Sequence, residues 1–246
     1  MAGYIGNKAV NLSTSGADIS GTAVTDGLTV AGNVSVDGGT IKLDGNYPVG
    51  TGNVALGDLS FASLQSGASN NVSIGYYSGN ALTTGDNNTA LGAYAVHKTT
   101  TASGNTGVGR GAMYENSTGA SNTALGDQAL YFNTTASNNT AVGHQAGYSN
   151  TTGTANVAIG SAALYDNTTG IRITAVGREA LTNNTSGNHN TGIGYQAMLT
   201  NTTGNYNVSV GYESLNSNTT ASYNTAVGYQ AGYANTTGLY ETFVGA

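Results

Sequence analysis

The chain has 246 residues but no cysteine, no tryptophan and a single proline, and only 7% of its residues are charged. Without cysteine it can form no disulfide, thiolate nucleophile or cysteine-ligated zinc site. Charged residues make up roughly 25% of an ordinary globular domain, so neutral polar side chains must keep this chain in solution. Its six Lys and Arg residues are scattered singly. That distribution argues against nucleic acid as a partner, which needs a basic stripe.

Long apolar runs are missing as well. No stretch approaches the ~20 apolar residues of a membrane helix, and residues 1–8 lack the apolar run of a signal peptide. We therefore expect synthesis in a cytoplasm and no membrane insertion. The abundance of Asn, Thr, Ser and Gly could indicate disorder, but 16 Tyr and regular Val and Ile residues favour an ordered chain.

The dominant feature of the sequence is a repeat. A segment like Asn-Thr-Ala-Val-Gly recurs twelve times between Asn53 and Ala246, and every interval after the first, which is 18 residues, is 17 residues. A fixed period over this length predicts stacked units that bury their apolar faces against each other. Each copy ends on an aliphatic residue followed by a structural repeat glycine: Gly57, Gly75, Gly92, Gly109, Gly126, Gly143, Gly160, Gly177, Gly194, Gly211, Gly228 and Gly245.

The composition of each unit predicts an all-β solenoid. Gly, Asn and Thr are poor to mediocre helix formers, and no 3.6-residue apolar period is present. Thr123, Ala124 and Leu125 alternate as in a strand, and Asn-Thr-Thr-Gly segments such as 150–153 predict a turn. We interpret one unit as strand, tight bend, second short strand and loop.

The core of such a coil is expected to be thin. We expect three apolar side chains per unit in it: the aliphatic residue before the repeat glycine, the Ala or Ser at the bend, and usually the residue that follows it. Association with two further copies would bury more apolar surface and protect sheet edges. We therefore predict an oligomer.

Three regions are predicted along the chain. Residues 1–26 are interpreted as an N-terminal attachment segment, and residues 27–52 as a fibre or neck segment of short β-strands with glycine turns. Residues 53–246 form the β-roll of twelve repeats, of which the last is incomplete. Because an uncapped solenoid exposes a sheet edge, we expect the chain to have been cut at Ala246 or covered there by another component.

The repeats resemble the head repeats of YadA-like trimeric autotransporter adhesins, a left-handed parallel β-roll whose inner strand carries a small residue, an aliphatic residue and Gly. The resemblance covers residues 53–246, although the usual adhesin unit is shorter. Segments 3–8 and 37–45 resemble the start of tail fibres of marine bacteriophages. Together these resemblances imply an intertwined homotrimeric fibre of the virion. Its N-terminus would bind other tail or baseplate proteins, and its β-roll would contact a glycan or protein of the host surface.

Two alternatives to the virion fibre stay open. The first is a bacterial extracellular filament or trimeric adhesin head built from the same coils. The second is an ice-binding β-solenoid, since pairs such as Thr134-Thr135 recur at a fixed spacing. No recurring carboxylate pair supports catalysis, so we predict a protein that is not an enzyme and has no catalytic, cofactor-binding or metal-binding residue.

We call a set of equivalent residues in successive coils a column. His97, His144 and His189 fall in different columns and predict no shared site, and two Asn columns predict amide ladders. Tyrosine also forms columns, and rings with a polar tip could bind sugars. We favour packing between coils as their role. The candidate glycan-binding residues are Tyr195, Tyr212 and Tyr229, which follow the repeat glycine, and Tyr206, Tyr223 and Tyr240, which precede the next strand.

Overall fold

A computed structural model describes residues 50–245, so the predictions for residues 1–49 lie outside the described residues. The described chain is an all-β parallel solenoid of 17-residue coils. It contains no helix, and hence none that could cross a membrane. Its strands are β1 Val54–Leu56, β2 Val72–Ile74, β3 Thr89–Leu91, β4 Thr106–Val108, β5 Thr123–Leu125, β6 Thr140–Val142, β7 Val157–Ile159, β8 Thr174–Val176, β9 Thr191–Ile193, β10 Val208–Val210, β11 Thr225–Val227 and β12 Thr242–Val244.

All twelve strands belong to one sheet in which each strand pairs with its sequence neighbours. The register matches the repeat: Thr123 pairs with Thr140, and Leu125 pairs with Val142. Equivalent residues therefore lie directly above each other, and every column of the sequence becomes a physical row along the axis.

The second short strand that we expected in each unit is absent from the described coils. The chain turns instead through left-handed backbone conformations at three columns, as at Gln128 (φ 57°), Leu130 (φ 50°) and Asn138 (φ 62°). These turns still bond from coil to coil, since the Leu130 N–H donates to the Ala146 carbonyl at 3.0 Å. Backbone groups are thus satisfied around the coil without a second sheet.

The core is formed by three columns, represented by Ala124, Ala129 and Leu130, which are at most 2% exposed. The aliphatic residue before the repeat glycine, which we expected in the core, lies on the opposite side of the strand. Leu125 is 47% exposed. The correction follows from strand alternation: the small middle residue faces inward, which allows the turn to approach closely, so its neighbours must face outward.

Large and small core residues compensate for each other between neighbouring coils. A Cβ on Gly107 would lie 2.6 Å from Val96 Cγ2, and one on Gly79 would lie 2.5 Å from Phe61 Cε1. Each glycine therefore provides the space that a larger side chain fills. Close packing is preserved although single positions vary.

The repeat glycines are required by two independent constraints. Gly143 has a φ of +134°, a conformation that residues with a Cβ rarely adopt. A Cβ at this position would also lie 2.6 Å from the Gly160 carbonyl oxygen, in the coil that follows. The positive φ recurs at every repeat glycine, and the close approach of the next coil recurs from Gly57 to Gly228. Together they explain why the repeat keeps this glycine.

Candidate functional surfaces

The inner Asn column forms a buried amide ladder, as predicted. Asn139 donates its backbone N–H to Asn122 Oδ1 at 2.9 Å and its side-chain Nδ2 to the Gly153 carbonyl at 2.9 Å. Its own Oδ1 accepts the Asn156 N–H at 2.9 Å. Each amide therefore joins three coils.

A second ladder runs along the turn column, also as predicted. Asn150 Nδ2 donates to Asn133 Oδ1 at 3.0 Å and to the Gly153 carbonyl at 2.9 Å. Both side chains are at most 1% exposed. Because these amides are buried and bonded to each other, they stabilise the coil and offer no contacts to a ligand.

The two residues of each Thr pair have different surroundings. The Thr134 hydroxyl donates to the Thr151 carbonyl in the next coil at 3.0 Å. The second residue of the pair, Thr135, is exposed. Only one hydroxyl of each pair therefore remains for solvent, which weakens the pairs as a broad ice-binding surface.

The outer strand face carries an aliphatic side chain in every strand of the sheet. We define it as the first and third residue of each strand, that is, a Thr or Val column beside a Leu, Val or Ile column. Several residues of the third position are more than a third exposed, namely Leu56, Ile74, Leu125, Ile159, Ile193 and Val227. Parallel sheets are normally covered on both faces, whereas this sheet leaves aliphatic side chains partly exposed on its outer face.

The two C-terminal tyrosine columns flank the outer strand face. Tyr206 lies two residues before Val208, and Tyr212 lies two residues after Val210. Within each column the rings stack face to face, with Tyr195 and Tyr212 5.1 Å apart and Tyr206 and Tyr223 5.2 Å apart. Tyr229 and Tyr240 extend the two stacks.

This stacking limits how the six candidate tyrosines could bind a sugar. Ring faces inside a stack contact other rings, so the ring edges and hydroxyl groups form the exposed surface. Glycan binding at these residues stays a prediction, and it would depend on hydroxyl groups. Packing between coils, the role we favoured, agrees with the ring geometry.

A third aromatic column lies in the central coils. Tyr114 and Tyr131 stack at 5.0 Å with an interplanar angle of 4°, and Tyr148 and Tyr165 stack at 4.9 Å. His97 stacks on Tyr114 at 4.9 Å. This histidine therefore extends an aromatic stack and does not join the other two histidines.

Charged groups pair locally between neighbouring residues or coils. Lys98 contacts Glu115 at 2.8 Å, and Arg110 contacts Asp127 at 3.0 Å. A hydrogen bond from Gln196 and then the Arg178 guanidinium lower the pKa of Glu179. Among residues 50–245 no cluster of three or more His, Cys, Asp or Glu could hold a metal ion.

No known protein family, curated protein or solved structure matches this chain. The likeness of the repeats to adhesin heads and of the N-terminal segments to phage tail fibres therefore stays a prediction. What can be argued about function has to come from the surfaces described above.

Proposed function

We propose that the protein is a structural virion protein, a homotrimeric tail fibre that is anchored by its N-terminus and projects its β-roll for attachment to a host surface. The observation that carries the assembly is the outer strand face. The virion location, the left-handed sense of the coil and the number of copies come from the sequence resemblances.

The dimensions of the outer strand face favour a second copy of the chain as its partner. Twelve strands spaced ~4.8 Å apart make a stripe about 50 Å long. One of its two columns is aliphatic in every strand, and extended exposed apolar surface on soluble proteins marks interaction sites. Another copy presents the same flat face with the same spacing, so it can cover the stripe along its whole length. Three copies around one axis would cover all three faces and leave none free for further growth.

A scaffold role also agrees with how the chain uses its polar groups. The amides of Asn139 and Asn150 hold coils together. The acids Glu115 and Asp127 pair with basic residues. In the described coils these groups are committed to the stack, and we propose that the protein makes and breaks no bond.

The virion assignment is tested by mass spectrometry of purified phage particles. The protein should copurify with capsid and tail proteins at a fixed ratio. Its recovery as free fibrils from cells without phage would contradict the assignment and favour the bacterial filament or adhesin head. If the purified protein released reducing sugar from a host capsule, the proposal that it is not an enzyme would be wrong.

One observation favours ice binding as a second candidate. Thr89, Thr106, Thr123 and Thr140 form a continuous column on the outer strand face, and their hydroxyl groups make no hydrogen bond within the described residues. This column could order water only while the face stays exposed. Thermal hysteresis of a solution of the purified protein would support ice binding, and its absence together with a stable oligomer would exclude it.

A further inference from the structure

One column of the central coils lacks a side chain where its neighbours have large ones. The second position after the repeat glycine carries Tyr77, Tyr94, Gly111, Gln128 and Gln145 in successive coils. At the glycine the surface opens into a cavity of about 290 Å³, lined by Tyr94, Arg110, Gly111, Tyr114, Gln128 and Tyr131. We call this cavity the Gly111 slot. Its volume is close to the lower end, roughly 300 Å³, of cavities that bind small molecules.

An aromatic face forms one wall of the slot. Tyr94 stacks on Tyr77 at 5.6 Å with an interplanar angle of 19°. On the side of Gly111 no ring stacks on Tyr94, since Tyr114 is tilted by 54° relative to it with centroids 6.1 Å apart. Tyr76 and His97 contact Tyr94 at steep angles, with centroids 5.4 and 5.5 Å away. The parallel stack of rings therefore ends at Tyr94, which lines the slot.

An amide donor forms the opposite wall. Gln128 Oε1 accepts a hydrogen bond from Gln145 Nε2 at 2.9 Å. In other coils of the same column the glutamine Nε2 donates to the side chain one coil earlier, as from Gln196 to Glu179 and from Gln230 to Glu213, both at 2.7 Å. At Gln128 the preceding residue is Gly111, which has no side chain to accept. The Nε2 group is therefore available to a ligand in the slot.

The spacing of these walls fits one ring. Tyr94 and Gln128 are two coils apart, or ~9.6 Å along the axis. A ring placed midway would make contacts of about 3.5–5 Å to each wall, close to van der Waals distance. Tyr131 closes the side, since a Cβ on Gly111 would lie 3.2 Å from its Cε2. The slot thus has the thickness of a single missing side chain.

The charges around the slot select the chemistry of the ligand. Arg110 Nη2 donates to Asp127 Oδ2 at 3.0 Å, so this pair is electrically balanced while the other guanidinium N–H groups remain available. The formal charge of the whole chain is -6, which disfavours anions. A neutral ring with hydroxyl groups suits an apolar face beside amide and guanidinium donors.

We propose that the Gly111 slot binds one neutral pyranose unit of a glycan. The apolar face of the sugar lies on Tyr94, and its hydroxyl oxygens accept hydrogen bonds from Gln128 and Arg110. This site is separate from the six C-terminal tyrosines. The proposed sugar binding rests on the proposed attachment function only for its biological purpose. The residues that contact the sugar all belong to one chain, so binding does not require the trimer.

The column contains its own negative control. Ala162 is also small, but it lies between Gln145 and Glu179, and neither of these residues offers an aromatic face. Filling that position should therefore leave sugar binding unchanged. Filling the Gly111 position should abolish it.

The test is saturation-transfer NMR with methyl β-glucopyranoside and methyl β-galactopyranoside as probes. We expect a saturation-transfer signal from at least one glycoside with the full chain. The signal should be about tenfold or more weaker with the Gly111→Gln and Tyr94→Leu variants. Gly111→Gln should fold, because Gln128 and Gln145 already occupy the same column with φ values of 57° and 55°. Circular dichroism checks the fold of each variant, and Ala162→Gln is the matched control.

Two outcomes would overturn the proposal. One is an absence of saturation of both glycosides by the unmodified chain, and the other is an equal signal in Gly111→Gln. The oligomeric mass is measured on the same samples. Sugar binding by a monomer would therefore contradict the proposed trimer and leave the slot proposal intact. A trimer that binds no sugar would contradict the slot proposal and leave the trimer intact.

Discussion

The interior and the exterior of the coil follow different rules. Inside, the strand column of Ala124 and the ladder of Asn139 keep small or amide residues, and the Leu130 column varies only in the size of its apolar residue. Outside, the column after the repeat glycine holds Arg110, His144 and Tyr195 in different coils. Interior columns are therefore constrained by stacking, while exterior columns are free to differ and to form local sites such as the Gly111 slot.

The outer strand face departs from this contrast. It is exposed, yet it keeps Thr or Val and an aliphatic residue in every coil of the sheet. A constant column on the outside of a solenoid suggests a contact that recurs along the whole length. We attribute it to the packing of copies against each other, and the following predictions test the contrast.

The largest loss of stability is expected from a substitution at a repeat glycine. Gly143→Ala introduces a Cβ 2.6 Å from the Gly160 carbonyl oxygen at a φ of +134°. We expect a loss of about 3 kcal/mol or more in the free energy of unfolding, because strain and a steric clash add. Thermal and urea unfolding followed by circular dichroism measure it.

A glycine of the same coil provides the control. Gly147 has a φ of +60°, and a Cβ there would lie 3.0 Å from a flexible Leu130 methyl group. Leu130 and Leu164 adopt the same conformation in neighbouring coils. Gly147→Ala should therefore be clearly milder, and equal losses in the two variants would contradict the proposed role of the repeat glycine.

The second prediction concerns the inner amide ladder. Asn139→Ala leaves the Asn156 N–H without its side-chain partner and removes one of the two amide donors to the Gly153 carbonyl, which keeps its bond from Asn150. We expect a loss of about 1 to 3 kcal/mol in the free energy of unfolding, the cost of one buried polar group left unpaired. Asn138→Ala is the control, because Asn138 is exposed and Ala155 occupies its column. Similar melting temperatures for both variants would refute a stabilising ladder.

The third prediction concerns the outer strand face. Lys in place of Leu125 or Ile159 puts charge on a residue that is 47% or 39% exposed. The coil should keep its circular dichroism spectrum, while the oligomer dissociates because a charge would be buried at the interface. Sedimentation velocity measures the change. Thr135→Lys, at an exposed position away from this face, should leave the mass unaltered.

The smallest prediction concerns two acids whose pKa values move in opposite directions. Burial raises the pKa of Asp166, so its charged form disfavours folding at pH values above its ordinary 3.8. Asp166→Asn should therefore raise the melting temperature slightly at pH 7, with no gain below pH 3.8. The pKa of Glu179 is lowered, so Glu179→Gln should lower the melting temperature at pH 7 and lose this effect in acid. Differences of the opposite sign would contradict these assignments.

Much of the fold could be predicted because the repeat is also the structure. The 17-residue spacing predicts the coil, the strand before each repeat glycine and the Asn ladders, since equivalent residues must stack. The turn could not be predicted, because Val96, Leu130 and Gln128 are not typical of left-handed backbone. The apolar residues in this part of each unit instead indicate a bend followed by a second short strand.

The direction of the strand side chains was also beyond prediction. Alternation separates Ala124 from Thr123 and Leu125, but it does not show which face is inside. The small size of Ala124 decides which face is inside, since the turn that carries Leu130 packs closely only against a small residue. The Gly111 slot leaves a trace in the sequence as one glycine in a column of large side chains, but the end of the ring stack at Tyr94 emerges only from ring orientation.

The central claim is that copies of the chain associate through the outer strand face, and the mass of the full chain in solution tests it most directly. Size-exclusion chromatography with light scattering, repeated over a range of protein concentrations, should give the mass of three chains of 24.5 kDa each. A stable monomer at every concentration would contradict the account.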